Sequence, residues 1–417
     1  MATTVYKWSE LPPDILTLIG KRLESRIDVL RFRSVCSSWR SSLPFGTWPP
    51  RLPLTLPFPI IPHRYPHPRG HYTLTEATVY RLQPLHNPSD SPPKAWIIKV
   101  SENLSEGKMR LLNPLSIDDK ITPLPRNFPT TLDLSQFQIS EICRSFSLGI
   151  AYDFNNLDYF DQFSSAQEYQ DMVNRVEKAV LLNNFTLVAM HFNGDLAVLR
   201  IGDEKWTTLV RYRQEPYGDL INFKGRVYVV NSWGESLIID SSLNIRVFSS
   251  FKSPLNNPVG KEKHLVESCG ELWLLDRDLR GLSGNVWYYS HIHTLAFKRW
   301  KKKEIWFKAY KLNEEEHKWI EVPDLGDRIL FAGSDCSFSV SAADFEGCNC
   351  KGNCVFFMNS CSNFRGNHDD YDALRGSGGK EPEIYHIGDH CLDQLVAYPG
   401  YADLFWPLPS WLASGKR

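Results

Sequence analysis

Four of the nine cysteines lie within fourteen residues and form the densest group of side chains in the chain that could do chemistry. Four thiolates could bind zinc in a tetrahedral arrangement. Their spacing, C-x-C-x3-C-x6-C, matches no common zinc module, because those modules usually hold two C-x2-4-C pairs. The run after the third cysteine, with Phe356 and Phe357, predicts a buried strand instead. We therefore favour reduced structural thiols over a zinc site or a disulfide for Cys348, Cys350, Cys354 and Cys361.

Other groups give weaker signals for catalysis. His291 and His293 share one face of a predicted strand, but no third ligand or carboxylate lies nearby, so surface or packing roles are favoured. The segment Gly376–Lys380 resembles a phosphate-binding loop but lacks its first glycine and the following Ser or Thr, so we interpret it as part of a surface loop over 363–383. No hydrolase or metalloprotease motif is present. We expect a protein that is not an enzyme and that needs no cofactor.

Charge and apolar patterning limit the classes of partner. The chain carries 47 Lys and Arg against 48 Asp and Glu, too balanced for a protein that binds bulk nucleic acid or an anionic membrane. The basic run Lys298–Lys303 could be a nuclear import signal or a nucleic-acid contact, but a solvated loop is the simpler interpretation. We see no signal segment and no run approaching 18 apolar residues, so we expect no membrane association and a location in the nucleus, the cytoplasm or both.

The first stretch of the chain, residues 8–43, has the spacing of apolar residues that is typical of helices. Pro12 and Pro13 suit the opening of one helix, and Asp28 is the expected N-cap of a second helix that runs on to Leu43. About 36 residues cannot bury so many apolar side chains by themselves. This unit therefore needs either an outside partner or the rest of the chain, and the periodicity does not separate the two.

The next stretch, residues 44–68, contains nine prolines in 25 residues. Leu52, Leu54, Leu56 and Phe58 alternate with Pro and Thr, which would place four apolar side chains on one face. Because proline is tolerated in edge strands, residues 51–61 are expected to form the initial strand of the next domain.

From about residue 70 the chain is a series of short apolar runs separated by turn residues, which predicts an all-β region. Three segments that begin at Gly194, Gly225 and Gly270 share a turn glycine, a polar residue and an apolar strand. A period of about 40 to 50 residues indicates propeller blades, and the length allows roughly six or seven of them. Packing between blades is the favoured role for Trp96, Trp206, Trp233, Trp273, Trp287, Trp306 and Trp319.

The helical stretch resembles an F-box over about 36 residues. The resemblance rests on the opening Trp8-Ser-Glu-Leu-Pro-Pro-Asp-Ile-Leu, on Arg22-Leu23, and on Asp28-Val-Leu-Arg-Phe-Arg-Ser-Val-Cys-Ser-Ser-Trp-Arg40. It implies helices that bind the Skp-type adaptor of a cullin-RING ubiquitin ligase. The apolar contact set that it implies consists of Leu11, Pro12, Ile15, Leu16, Ile19, Leu23, Val29, Leu30, Phe32, Val35, Cys36 and Trp39.

The rest of the chain is similar to the β-propeller-like domain that comes after the F-box in the plant Skp-interacting-partner-like group. The segments that carry this resemblance are Lys311-Leu-Asn-Glu, Trp319-Ile-Glu-Val, 325–341, Gly352-Asn-Cys-Val-Phe-Phe357 and Leu404-Phe-Trp-Pro-Leu-Pro-Ser-Trp-Leu412. The chain departs from the group at Cys348-Asn-Cys350-Lys and in the 363–383 loop. Neither the extra cysteines nor the loop receives a role from the resemblance.

Together these observations predict an α+β multidomain protein with a small all-α F-box followed by a large all-β propeller-like domain. The expected boundaries are 1–48 for the F-box, 49–69 for the connector, 70–412 for the propeller-like domain and 413–417 for a tail. The resemblance implies a substrate-recognition subunit of a Skp-cullin-F-box (SCF) ubiquitin ligase, which binds an unidentified target through its β domain. The alternatives are a propeller with a small-ligand or catalytic site, and a nuclear regulator that binds nucleic acid through residues 298–303.

The two parts also differ in charge. Residues 1–75 carry ten Lys and Arg against four Asp and Glu, whereas residues 76–417 carry 37 against 44. We expect the basic first part and the acidic second part to face different partners.

Overall fold

The computed structural model divides the chain into two compact units, Met1–Leu54 and Thr55–Arg417. No helix in the described part of the chain is both long and apolar enough to cross a membrane. The described residues are 8, 11–23, 26–44, 54–60, 70–85, 95–103, 108–115, 136–152, 175–183, 185–210, 217–231, 233–250, 261–280, 304–348, 350–358, 382–395, 401 and 404–405.

The first unit contains three short helices, α1 (Pro13–Gly20), α2 (Arg26–Ser34) and α3 (Ser37–Ser42). Pro12 and Pro13 stand at the start of α1, where a missing N–H group costs no helical hydrogen bond. The expectation of one long second helix is wrong, because the backbone at Cys36 is fully extended, with φ −163° and ψ 178°. Asp28 is likewise not an N-cap. It lies in the first turn of α2 and pairs with Arg31 at 3.0 Å.

The second unit is built from β-strands. The first nine are β1 (Leu54–Leu56), β2 (Gly70–Pro84), β3 (Trp96–Asn103), β4 (Lys108–Leu112), β5 (Phe137–Tyr152), β6 (Val176–Asn183), β7 (Thr186–His191), β8 (Leu196–Arg200) and β9 (Thr207–Val210). They form the first sheet, in the order β4-β3-β2-β5-β6-β7-β8-β9, with β1 paired to β2. The initial strand expected within residues 51–61 is thus present as the short strand β1.

Three further sheets complete this unit. The second sheet consists of β10 (Tyr217–Phe223), β11 (Arg226–Asn231), β12 (Glu235–Ile239) and β13 (Ile245–Ser250). The third consists of β14 (Lys261–Ser268), β15 (Glu271–Arg280), β16 (Glu304–Asn313) and β17 (Lys318–Val322). The fourth consists of β18 (Arg328–Ala332), β19 (Ser337–Ser341), β20 (Cys354–Met358), β21 (Pro382–His386) and β22 (Cys391–Gln394), with a 3-10 helix at Ala342–Cys348. The second and third sheets are antiparallel meanders whose strands follow chain order, and the fourth has the order β19-β18-β20-β21-β22.

Adjacent groups of paired strands, which we call arrays, meet through one strand of each group. β6 neighbours β10, β10 neighbours β14, β14 neighbours β19, β19 neighbours β5, and β5 neighbours β6, so these five inner strands close a ring. In the described residues, β5 and β6 share a single pair of register partners, Phe146 and Ala179. The nine-stranded sheet therefore consists of two arrays, β1–β5 and β6–β9. The described strands therefore form five arrays around the ring, and the expected count of six or seven blades has no support.

The apolar core lies between neighbouring sheets rather than in one central mass. One cluster, which we call the seam, joins the first sheet, through Val79 and Ile97, to Phe331 and Phe356 of the fourth. Other clusters lie between β6–β9 and the second sheet, between the second and third sheets, and between the third and fourth sheets. Trp206, Trp273 and Trp319 are buried, as expected for packing side chains, whereas Trp287 lies outside the described residues.

Turn geometry explains the repeat of glycines. Lys224 and Gly225 both have positive φ, 50° and 72°, and Cys269 and Gly270 repeat this at 54° and 75°. Two consecutive positive φ values are typical of the tight hairpin turns that favour glycine. These two turns come directly after the inner strands β10 and β14, so they occupy equivalent positions in the second and third sheets and define the structural repeat. Gly194 stands one strand further out, between β7 and β8. This explains why it lies only 31 residues before Gly225, whereas Gly225 and Gly270 are 45 residues apart.

Candidate functional site

The helical unit has a small core of its own. Leu16, Val29, Phe32 and Leu43 are buried in it, and Leu11, Ile19, Leu23 and Trp39 pack around them. The rings of Phe32 and Trp39 lie 4.5 Å apart, centroid to centroid, which fastens α2 to α3. The periodic apolar residues of this stretch therefore divide into those that hold the helices together and those that remain on the surface.

Polar contacts fix α3 against the other two helices. The hydroxyl of Thr17 donates to the carbonyl of Ser42 at 3.0 Å, which ties α1 to the end of α3. Arg33 of α2 donates to the carbonyls of Arg40 and Leu43. Gly20 permits the close approach of Leu43, since a Cβ atom there would lie 3.0 Å from a methyl group of that leucine. The outward-facing side chains of α1 thus stand on a supported helix.

Apolar side chains remain exposed on this unit. Ile15 and Leu18 lie three residues apart on α1, and 44% and 57% of their surfaces are exposed. Val35, at the break between α2 and α3, is 55% exposed, and Trp8 is 70% exposed. We call Ile15, Leu18 and Val35 the exposed apolar set. A large aliphatic side chain gains about 1.5–3 kcal/mol when it is fully buried, so such residues favour contact with a partner.

The twelve residues of the contact set predicted from the sequence differ in how deeply they are buried. Their contact with an adaptor stays a prediction. Leu16, Val29 and Phe32 are interior, so they support the helices, whereas Pro12, Ile15 and Val35 are exposed. Leu11, Ile19, Leu23, Leu30, Cys36 and Trp39 are partly buried. The predicted set omitted Leu18, although its spacing of three residues from Ile15 places the two on one side of α1. It also omitted Leu43, which is buried in the core of the unit.

The second unit carries a group of buried charges near the beginnings of its inner strands. The ammonium group of Lys178 on β6 pairs with the carboxylate of Asp219 on β10. The other oxygen of Asp219 accepts a hydrogen bond of 2.6 Å from the backbone N–H of Leu265 on β14. One carboxylate therefore connects three consecutive inner strands of the ring.

Two more buried ion pairs and a hydroxyl pair continue this pattern. Lys263 pairs with Asp276 on the next strand, and Lys99 of β3 pairs with Asp335 at 2.6 Å, just before β19. The hydroxyls of Ser268 and Ser339 lie 2.9 Å apart and join β14 to β19. Buried charges of this kind are stable only when paired, so these contacts hold the strands in place.

The third sheet also carries two titratable side chains, Arg277 and His264. Nη1 of Arg277 donates to Glu262 at 2.7 Å, and the guanidinium lies 4.8 Å from the ring centroid of Phe357. Burial lowers the pKa of His264, while Asp219 and Glu262 partly oppose that shift. His264 is therefore a neutral side chain near neutral pH. Among the described residues, no three His, Cys, Asp or Glu side chains are placed to hold a metal ion.

The cysteine cluster is only partly described. Cys354 is buried, and its thiol donates to the carbonyl of Lys351 at 3.5 Å. Burial raises the pKa of Cys354 to about 12, so it stays protonated and acts as a packing residue at the start of β20. Cys350 is half-buried beside the seam. The side chain of Cys348 and all of Cys361 lie outside the described residues, as do His291, His293, residues 298–303 and residues 363–381.

Comparison with known proteins identifies both parts of the chain. Residues 71–385 match the family model described as the KIB1-4 beta-propeller. The F-box protein SKIP23 of Arabidopsis thaliana is 33% identical, and the match covers 98% of this chain and 96% of that protein. The Arabidopsis F-box protein At2g17036 is 31% identical over the same shares of the two chains. The Arabidopsis F-box protein At2g26160 is 29% identical, over 85% of this chain and 96% of that protein.

The family model covers most of the β-rich unit, and the full-length relatives extend the match through the helical unit. The chain therefore belongs to the plant F-box proteins whose larger part is a KIB1-4 β-propeller.

Proposed function

We propose that this protein is the substrate-recognition subunit of an SCF-type ubiquitin ligase, acting in the nucleus, the cytoplasm or both. The helical unit binds a Skp-type adaptor, which connects it to the cullin and RING subunits. The β-propeller binds a target protein. The protein itself has no catalytic role, because ubiquitin transfer is carried out by other subunits and is accelerated by the proximity of the target.

The observation that carries this proposal is the exposed apolar set on helices that already possess a core. Leu16, Phe32 and Leu43 fill the interior of the unit, so Ile15 and Leu18 are not needed to hold it together. Exposed apolar side chains on a supported helix are typical of helix-mediated recognition. The F-box relatives support a Skp-type adaptor as the partner.

The charge of the N-terminal part supports the same partner. Residues 1–75 contain ten basic and four acidic residues. The adaptors of F-box proteins are acidic by family resemblance. Complementary charge of this kind accelerates association, while apolar burial supplies most of the affinity.

The proposal predicts that charge placed in the exposed apolar set abolishes adaptor binding. We expect Ile15→Asp with Leu18→Asp to lower the fraction of a purified Skp-type adaptor that co-purifies with the full-length protein by at least about 100-fold, because two apolar contacts are lost and two carboxylates are desolvated. Circular dichroism of the variant checks that the helices persist.

Ile320→Asp is the matched control. Ile320 on β17 is 51% exposed, close to the 57% of Leu18, but it lies in the propeller. This variant should bind the adaptor like the wild type. Undiminished capture by the Ile15 and Leu18 double variant would show that α1 is not the adaptor-binding surface.

A further inference from the structure

A buried arginine of the third sheet has one edge of its guanidinium group unused. Arg277 on β15 is 1% exposed. Its Nη1 atom donates to Oε2 of Glu262 on β14 at 2.7 Å. Its Nε and Nη2 atoms are buried and have no hydrogen-bond partner in the described part of the chain. These two atoms form the side of the guanidinium fork that can hold both oxygens of a carboxylate.

Strand register and packing fix the position of this side chain. Arg277 is the register partner of Glu262 on one side and of Phe307 on β16 on the other. Its guanidinium group lies 4.8 Å from the ring centroid of Phe357, on β20 of the fourth sheet. The rings of Phe307 and Phe357 also contact each other, with centroids 4.9 Å apart. The ion pair with Glu262 and the ring of Phe357 therefore hold the guanidinium group between the third and fourth sheets.

A second side chain beside this ion pair also carries a buried polar atom without a partner. Nε2 of His264 on β14 lies 3.9 Å from the same Oε2 atom of Glu262 that Arg277 binds. Among the described residues this nitrogen makes no hydrogen bond. Burial lowers the pKa of His264, so the ring adds no charge and Nε2 is able to donate or accept a hydrogen bond.

Unsatisfied polar atoms of this kind point to a ligand. A buried donor without a partner destabilises a protein, most of all when it is charged, so native structures contain few of them. A group with two acceptor oxygens would satisfy Nε and Nη2 of Arg277 together, because their N–H bonds run parallel. The side chain of Glu262 is 43% exposed, so the site lies next to solvent, and water weakens the repulsion between Glu262 and a second carboxylate.

We propose that the Nε and Nη2 edge of Arg277 is a binding site for a carboxylate, which enters from the side of Glu262 and also contacts Nε2 of His264. Arg277 would then bridge two carboxylates, that of Glu262 at Nη1 and that of the ligand at the other edge. Phe357 covers one face of the guanidinium group and leaves its edge for the ligand.

The carboxylate has two possible sources, a small organic acid or an acidic side chain of a bound protein, because both present the same two oxygens. The site is built from residues of the third and fourth sheets, so it does not depend on the proposed adaptor binding.

The test follows the melting temperature of the full-length protein in sodium formate. Sodium chloride at equal ionic strength and formamide, which resembles formate but carries no charge, are the comparisons. We expect formate at about ten times its Kd to raise Tm by at least about 1 °C more than either comparison. Acetyl-Gly-Glu-Gly-amide and its Gln counterpart then separate the two sources. Stabilisation by the Glu peptide identifies an acidic side chain, and stabilisation by formate without it identifies a small organic acid.

Two variants locate the effect, each measured from its own baseline. Arg277→Lys keeps the positive charge but lacks the fork, so the formate shift should disappear. Glu262→Gln removes a neighbouring negative charge at a partly exposed position, so formate should bind about threefold more tightly. Arg144→Lys on β5 is the control, since Arg144 is 31% exposed and pairs with Glu141 at 3.0 Å, and it should keep the whole shift.

Three results would overturn the proposal. They are the absence of a formate shift in the wild type, an equal shift in Arg277→Lys, and unchanged or weaker formate binding by Glu262→Gln. If Arg277→Lys does not fold, Glu262→Gln still decides the outcome.

Discussion

At the scale of single residues, Asp219 on β10 connects three of the five inner strands of the ring. Its two oxygen atoms bind Lys178 on one neighbouring inner strand and the N–H of Leu265 on the other. Both contacts are buried. Loss of this carboxylate would leave a buried ammonium group and a buried N–H group without partners.

We expect Asp219→Ala to lower the free energy of unfolding by about 3–5 kcal/mol, because breaking one side of a buried ion pair strands the other charge. Chemical denaturation followed by tryptophan fluorescence measures this change. Adding Lys178→Met to Asp219→Ala should recover part of the loss, since the stranded charge is then removed.

Glu321→Gln is the control for Asp219→Ala. Glu321 pairs with Lys308 at 2.8 Å on an exposed part of the third sheet, and exposed pairs contribute at most about 1 kcal/mol. If Asp219→Ala costs no more than this control, the buried pairs do not hold the ring together.

At the scale of elements, the tight turns after β10 and β14 set the repeat of the propeller. Gly225 has φ 72°, and a Cβ atom at this position would meet no other atom within 4 Å. A substitution there is disfavoured by backbone conformation alone.

Gly225→Ala is expected to lower the free energy of unfolding by about 1–2 kcal/mol, because a side chain disfavours the left-handed conformation. Gly218→Ala, on β10, is the comparison. There the added Cβ would make an ordinary contact at 3.9 Å with the carbonyl of Val230, so equilibrium denaturation should show no comparable loss. Equal costs for the two variants would contradict the importance of the turn conformation.

Local patterns predicted single strands better than their assembly. The glycine signals located β8, β11 and β15 because turn residues and alternating apolar residues act over a few positions. The expected count of six or seven blades has no support in the described strands, where β2 and β5 are 15 and 16 residues long and pair with each other over almost their whole length. Periodicity records which residues are apolar but not which strands pair.

The same limit applies to the candidate site. The apolar spacing continues through Cys36 without interruption, so it could not reveal the extended backbone that separates α2 from α3. It also could not separate Leu16, which is buried, from Ile15, which faces solvent, because both fit an apolar helical stripe. The buried pair of Lys99 and Asp335 joins positions 236 residues apart, and no local pattern can show it.

At the scale of the whole molecule, the two compact units divide near Leu54. The seam and the other clusters of the propeller consist of residues from the second unit. In the described part of the chain, the propeller thus has a core built from its own residues.

A variant that lacks residues 1–43 is therefore expected to keep the β-sheet circular dichroism and the unfolding transition of the propeller while losing adaptor binding. Differential scanning calorimetry and co-purification with the adaptor measure the two properties. Loss of the cooperative transition would show that the helical unit contributes to the stability of the propeller.

The seam also has a consequence for synthesis of the protein. The N–H of Ile97 donates to the carbonyl of Leu404 at 2.6 Å, and Tyr401, Leu404 and Phe405 complete the seam cluster. During translation the seam cannot be completed until roughly 300 residues after the first sheet have been added, which takes about 15–60 s at cellular elongation rates. Throughout that interval the nascent chain on the ribosome carries an apolar sheet face that the rest of the seam does not yet cover, and we expect chaperones that shield this face to raise the yield of folded protein.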